Sequence, residues 1–227
     1  IGRVLWELGV NPALRIVVVS NTGMQSQKLV KSVGEYIDQN EVLHEIFPDL
    51  VRGGPWTSDN ITVKRSTPAK DPSMQAVGMH GNILGARIDL LILDDVLDYE
   101  NTRTDYQRRE AQRWVESTLF GRLTRKARAV FIGNAWHRED MMHNFAMRPG
   151  WKGYKFPAVY EDGSPVWPDR WPPDRLIDKR EELGPLEFAR QMLCEARAEG
   201  QSRFRQSDID LCLMKGRGKQ VLPFLRD

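Results

Sequence analysis

The chain has 227 residues, 41% of them hydrophobic and 28% charged, with a formal net charge of +2. That length holds one large domain or a domain with a small appendage, and the balance is ordinary for a globular protein, which excludes disorder throughout. No run approaches the ~18–20 apolar residues that span a bilayer, and so small a net charge gives no global field that announces a polyanion. Cys194 and Cys212 are the only cysteines. Two are too few for a Cys-rich metal site, and free thiols in a reducing cytosol are the simplest reading. The chain opens at Ile1 in mid-pattern, without a cap or a polar leader, and reads as cut from something longer.

Apolar residues at Ile1, Val4, Leu5 and Leu8 have helical spacing, which Gly9 and Asn11-Pro12 stop. Arg15-Ile16-Val17-Val18-Val19-Ser20 is a β-branched strand. Asn21-Thr22-Gly23 turns the chain, and residues 26–40 predict a helix with Leu29, Val33, Tyr36 and Ile37 inward. Residues 60–65 read as a second strand and 68–72 as a loop. A short strand at 74–77 precedes a passage with glycines at Gly78, Gly81 and Gly85, where the backbone can bend or approach a neighbour.

Asp89-Leu90-Leu91-Ile92-Leu93-Asp94-Asp95 follows. Four bulky apolar residues running into a carboxylate pair have the length of a fully buried strand in a parallel sheet. Ligands of open α/β sheets bind at the carboxyl ends of such strands. Thr104 and Gln107 form a candidate capping box for a helix to about residue 119, with Ala111, Trp114, Val115 and Leu119 on one face. Residues 129–133 are the next buried strand, ending in Asn134-Ala135-Trp136-His137, and a helix begins near Arg138 or Glu139. Residues 153–159 form a last candidate strand. Strands alternating with helices predict a mostly parallel sheet with helices on both faces.

From Glu161 the composition shifts to Pro165, Pro168, Pro172 and Pro173 among Trp167 and Trp171. Tryptophans are seldom left exposed, so this reads as an ordered crossing segment. Residues 176–182 and 185–198 then read as helices, and the basic tail from 201 as peripheral. The expected division is an α/β core over 1–160 and a small C-terminal subdomain over 161–227. Basic clusters at 122–128 and 215–219 read first as solvated charged faces.

Two adjacent acids are costly to hold together unless a cation or a reaction uses them. The run into Asp94 and Asp95 has the form of a Walker B motif, in which one acid holds the Mg2+ shell and the next orients the attacking water. A rival reading adds Asp98 to make a two-metal carboxylate nuclease, and a second rival is a non-catalytic module that binds DNA or a partner. Asn134 is either a turn residue or a hydrogen-bonding group beside the acid pair, and His137 is either a partly buried His at a helix start or a supporting group. The four histidines, His44, His80, His137 and His143, have no ligand spacing. Arg87, just ahead of the acidic strand, is either a partner for Asp89 or an arginine finger acting across a subunit interface. No Gly-x-x-x-x-Gly-Lys-[Ser/Thr] cradle occurs, so a P-loop is expected upstream of Ile1.

In their order these residues resemble the ATPase domain of the large terminase subunit of tailed bacteriophages. The likeness runs through Phe47-Pro48-Asp49-Leu50, Lys70-Asp71-Pro72-Ser73, Gly85-Ala86-Arg87, Asp94-Asp95, Gly133-Asn134-Ala135-Trp136-His137-Arg138-Glu139-Asp140 and Trp167-Pro168-Asp169-Arg170. It implies a P-loop NTPase fold of the RecA/ASCE type that lacks its P-loop strand. It also implies Mg2+-dependent ATP hydrolysis that packages double-stranded DNA into a procapsid. Asp94 would bind the Mg2+ of the nucleotide, Asp95 would polarise water, Asn134 would couple phosphate state to movement with His137 in support, and Arg87 would be the charge-stabilising arginine. The implied partners are DNA, the portal protein, the small terminase subunit and further copies in a homo-oligomeric ring, in the host cytoplasm and with no membrane. Three departures stand out: the family's Asp-Glu is Asp94-Asp95 here, its usual Thr or Ser is Asn134, and its P-loop and C-terminal nuclease domain are expected outside this sequence.

Overall fold

The structure is a computed structural model that describes residues 1–54, 56–83 and 86–196. Gly85, Cys212, the basic cluster at 215–219 and the tail from 201 lie outside the described residues. The chain divides into two compact units, Ile1–Pro157 and Ala158–Asp227.

The first unit is an α/β layer structure around one mixed, mostly parallel sheet. Its strands are β1 (Ile16–Ser20), β2 (Asn60–Ile61), β3 (Met74–Gly78), β4 (Ile88–Asp94) and β5 (Leu123–Ile132), in the order β2-β3-β1-β4-β5. Only β2 runs antiparallel. β1 is central and buried at every position, as its Ile-Val-Val-Val run requires. In register, Ile16 lies against Met74 on one side and Leu90 on the other. Because β1, β3, β4 and β5 are parallel, Ser20, Gly78, Asp94 and Ile132 all end at the same edge of the sheet.

Side chains that alternate along the strands build two cores. Val18, Leu90 and Ile92 pack on one face with α1 (Gly2–Val10) and α2 (Gly23–Gln39). Val17, Val19, Leu91 and Leu93 pack on the other with α5 (Asp105–Trp114) and α6 (Met141–Ala146). In chain order, α3 (Glu41–Ile46) and α4 (Tyr99–Thr102) come between α2 and α5. Reciprocal capping boxes start α2 at Thr22 and Gln25 and α5 at Thr104 and Gln107. After Trp114 the helix widens into a π-turn, Val115–Leu119, and tightens into a 3-10 turn, Phe120–Arg122, that leads into β5.

Several elements differ from the sequence reading. α2 starts earlier, at Gly23, and its inward face is Ser26, Val30, Val33, Gly34 and Ile37, with Tyr36 exposed. The strand read over 60–65 shrinks to Asn60–Ile61 plus an isolated bridge between Arg52 and Val63, because the Val63 N–H is taken by the Ser73 hydroxyl. β5 begins at Leu123, so most of the basic 122–128 cluster is strand. β5 pairs only with β4 among the described residues, and edge strands tolerate such charges. Residues 153–159 form no strand; Val159 makes only an isolated bridge to Pro165, and Tyr154 and Phe156 stand exposed.

In the second unit, α7 (Pro173–Met192) breaks at Gly184, whose φ of 73° precedes Pro185, so it acts as two helices. The Val166 N–H donates to the Ala158 carbonyl, and the Ala158 N–H to that of Met192. Trp167 is exposed, against the expectation that it is covered, with Arg170 over its ring at 5.4 Å. Cys194 is a free thiol, and no helix among the described residues is long and apolar enough to cross a membrane.

Candidate active site at the carboxyl edge of the sheet

β4 delivers Asp94 and Asp95 to the edge where the parallel strands end. The chain turns sharply there, with Asp95 in the left-handed region at φ 52°. Asp is among the few non-glycine residues that accept that conformation readily, at a cost of about 1–2 kcal/mol. The Asp95 N–H donates to the Ile132 carbonyl at 2.9 Å, which locks the turn to the end of β5. Among the described residues no hydrogen bond engages the carboxylate of Asp94 or of Asp95. Loss of surrounding water, then the charges of Asp94 and Asp98, raise the Asp95 pKa above the ordinary Asp value. A second left-handed non-glycine residue, His80 with φ 61°, follows β3 at the same edge and packs on Trp114 at 5.6 Å.

Asp98 is committed to structure. Its Oδ1 accepts the Asn101 N–H at 2.8 Å as the cap of α4, and its Oδ2 accepts the Asn21 side-chain amide at 2.5 Å. Asn101 in turn donates to Asn21 Oδ1 at 3.3 Å and to the Val96 carbonyl at 2.8 Å. Asn21 directly follows β1, so this network joins the loops after β1 and β4. The sequence offered it only as a turn residue. Among the described residues no group of three His, Cys, Asp or Glu side chains is arranged to hold a metal ion. A nucleotide-bound Mg2+ needs no such cage, since it takes one or two carboxylates plus phosphate oxygens and water. The open pair Asp94 and Asp95 fits that use, whereas each oxygen of Asp98 already accepts a structural hydrogen bond.

Strand pairing places the next loop alongside. Asp94 is in register with Ile132, and a Cβ built on Gly133 would lie 4.0 Å from Asp95 Oδ1. Asn134 is exposed beyond it, and no hydrogen bond holds its amide among the described residues. The loop is then pinned by Asp140, fully buried at the start of α6. Asp140 Oδ2 accepts the His137 N–H at 3.0 Å, and Oδ1 accepts the His143 N–H at 2.9 Å. His137 turns inward on its own loop, with Nδ1 accepting the Glu139 N–H at 3.1 Å. Asp140 was missed as the residue that pins this loop, although it carries the Asp signature of a helix start.

Arg87 sits at the other end of β4, roughly 20 Å from the acid pair at ~3.3 Å per residue. It is exposed, and its N–H donates to Asp71 at 3.2 Å. The side-chain partner of Asp89 is Arg15, with Thr124 adding a hydroxyl at 2.9 Å. The reading of Arg87 as the partner of Asp89 is therefore corrected. Asp94, Asp95, Asn134 and His137 gather at one edge of the sheet, and Arg87 lies at the opposite edge.

The fold and this edge define an α/β protein with an open carboxylate pair at the carboxyl end of β4, beside that of β5. No protein-family model matches the chain. Over 163 residues it is 26% identical to a protein described as the large subunit of terminase from Enterobacteria phage T3. The match covers 69% of this chain and 27% of that protein, and the two are distant homologues.

Proposed function

We propose that this chain carries the Walker B and coupling segments of the ATP-hydrolysing part of a phage large terminase subunit, a motor that packages double-stranded DNA into a procapsid. One observation carries the reading: in a distant homologue of a terminase large subunit, an acid pair whose carboxylates have no hydrogen-bond partner among the described residues ends the buried strand β4, next to the strand that presents Asn134.

Bound Mg2+ would neutralise charge on the transferring phosphoryl group. Asp94 would hold the ion's water shell. Asp95 would orient and polarise the attacking water, and its raised proton affinity suits a group that takes up a proton. Asn134 would hydrogen-bond the terminal phosphate or the water, and His137 would stiffen its loop. The strand that brings the P-loop would pair with the outer edge of β5, which has no partner among the described residues. Arg87, too far away to serve its own site, would act at that of a neighbour in a homo-oligomeric ring. The portal protein and small terminase subunit would be further partners in the host cytoplasm, and DNA would be held mainly through its phosphates. The nuclease reading is weaker because both oxygens of Asp98 are already engaged.

The test uses the full-length protein. Asp95→Asn abolishes Mg2+-dependent ATP hydrolysis and retains nucleotide binding, whereas Asp94→Asn weakens binding as well. Hydrolysis retained in Asp95→Asn removes that residue from the mechanism, and loss of DNA cleavage with normal ATP turnover favours the nuclease.

A further inference from the structure

We infer that Arg108 is a positioning residue, a tie between the loop that carries Asp94 and Asp95 and the loop that carries Asn134. The inference rests on the reading of this edge as an ATPase site.

Arg108 lies on α5 and is only 9% exposed. One arm of its guanidinium, Nη1, donates to the Thr102 carbonyl at 3.0 Å. The other, Nη2, donates to Glu139 Oε2 at 3.2 Å and approaches Asp105 at 3.9 Å. Thr102 closes α4, the short helix capped by Asp98 that directly follows the acid pair. Glu139 belongs to the turn between Asn134 and α6, which Asp140 stiffens through the His137 N–H. A parallel link runs beside it, from the Asn144 side-chain amide on α6 to Gln112 Oε1 on α5 at 2.8 Å.

A continuous path of hydrogen bonds therefore crosses the edge of the sheet. It runs from Asn21 after β1, through Asp98 and α4, to Arg108 and on to Glu139 after β5. Burying a guanidinium is an expensive way to fill space, because it must recover its hydration from fixed acceptors. Here the Nε is buried with no hydrogen-bond partner among the described residues, while the two arms that reach separate loops are satisfied. The fork is thus fitted for spanning. The two ends differ: the Thr102 carbonyl is internal, whereas the Glu139 side chain is 71% exposed. Glu139 can let go without opening the core, so a shift of the Asn134 loop loads or unloads α4 and α5 through Arg108. Lys cannot replace this, since a single ammonium lacks the planar fork that meets two acceptors on different segments.

The experiment measures kcat and KM for Mg2+-ATP, together with thermal melting, in the full-length protein. Glu139→Ala and Arg108→Lys each lower kcat about tenfold, equal to about 1.4 kcal/mol in the barrier, with KM within about twofold of wild type. Glu139→Ala alters an exposed side chain and leaves the melting temperature within about 2 °C. The double variant is no slower than the slower single one, and Glu139→Gln, which keeps an acceptor, recovers most of the rate. Wild-type kcat in Glu139→Ala, or losses that multiply in the double variant, overturns the inference while the ATPase reading stands. Should Arg108→Lys fail to fold, the two Glu139 variants decide. A wild-type protein without Mg2+-ATP hydrolysis overturns the ATPase reading and this inference with it.

Discussion

Arg15 and Asp89 are joined three times over: the Arg15 backbone N–H reaches Oδ2 at 3.1 Å, its Nε the same oxygen at 2.8 Å, and its Nη2 reaches Oδ1 at 3.0 Å. The pair locks the start of β1 to β4 at the edge opposite the acid pair, and Thr124 extends the lock to β5. Arg65 closes the same corner by donating to the carbonyls of Pro12, Leu14 and Asp71.

Asp89→Asn is therefore expected to destabilise the chain by about 2–3 kcal/mol at pH 7. Burial raises the Asp89 pKa, but the hydrogen bonds from Arg15 and Thr124 outweigh it and the net pKa is lowered. The folded pKa lies below the unfolded one, so the stabilisation is complete above the unfolded value and fades as pH falls through the folded one. Urea unfolding of both proteins should show a gap that narrows below about pH 4. A gap independent of pH means that the carboxylate charge is not what stabilises.

Asp95 has the opposite sign. Its folded pKa is raised, so the site destabilises the fold once pH rises above the unfolded value and through the folded one. Asp95→Asn keeps a side chain suited to the left-handed backbone and removes the repulsion from Asp94 and Asp98. It should stabilise the chain at pH 7 by about 0.5 kcal/mol after allowance for solvent screening, with no difference from wild type below about pH 4. Melting curves across that range check it, and a destabilised Asp95→Asn at pH 7 contradicts it.

Asn134→Ala tests the proposed coupling role in the full-length protein. ATP turnover should survive in part, while DNA translocation falls by at least a further tenfold, about 1.4 kcal/mol. The basis is positional, because Asn134 lies between the strand end beside Asp95 and the loop tied down by Asp140. Both rates measured on one preparation decide it, and a proportional fall in the two counts against coupling.

Gly78→Ala should cost about 1–3 kcal/mol through overpacking. Its Cβ would meet the backbone N of Gly23 at 2.5 Å, where β3 ends against the start of α2. Gly121→Ala meets nothing within 4 Å and should stay within about 0.5 kcal/mol of wild type. Chemical denaturation of the two variants side by side makes the comparison.

β4 and its acid pair were legible in the sequence because an apolar run ending in two carboxylates has few other uses. The capping box at Thr104 and Gln107 was legible for the same reason, being local. The first half of β5 was hidden, since Arg125, Lys126 and Arg128 on an edge strand look like any solvated charge run. Tyr154 and Phe156 misled in the other direction: alternation marks a strand only where a partner offers hydrogen bonds, and none is present among the described residues. Arg15 and Asp89 are separated by 74 positions and Arg108 and Glu139 by 31, so no periodicity could have paired them. The neighbourhood of Asp95 and Gly133 was foreseen only on condition that β4 and β5 adjoin, and they do.

The outer edge of β5 has one more consequence, for the chain as a material. Every second residue of the ten-residue β5 turns its backbone groups outward there, with no ladder among the described residues. Bare strand edges template the addition of other strands unless charge or proline blunts them. Arg125 and Lys126 guard the first half, but the second half, Ala129-Val130-Phe131-Ile132, carries no charge. A solution of these residues alone should be sensitive to concentration and salt, since salt screens the guarding cations and leaves the apolar half able to zip against a second copy. Shelf life, turbidity and a drift toward cross-β scattering then become properties of one unclosed row of amides.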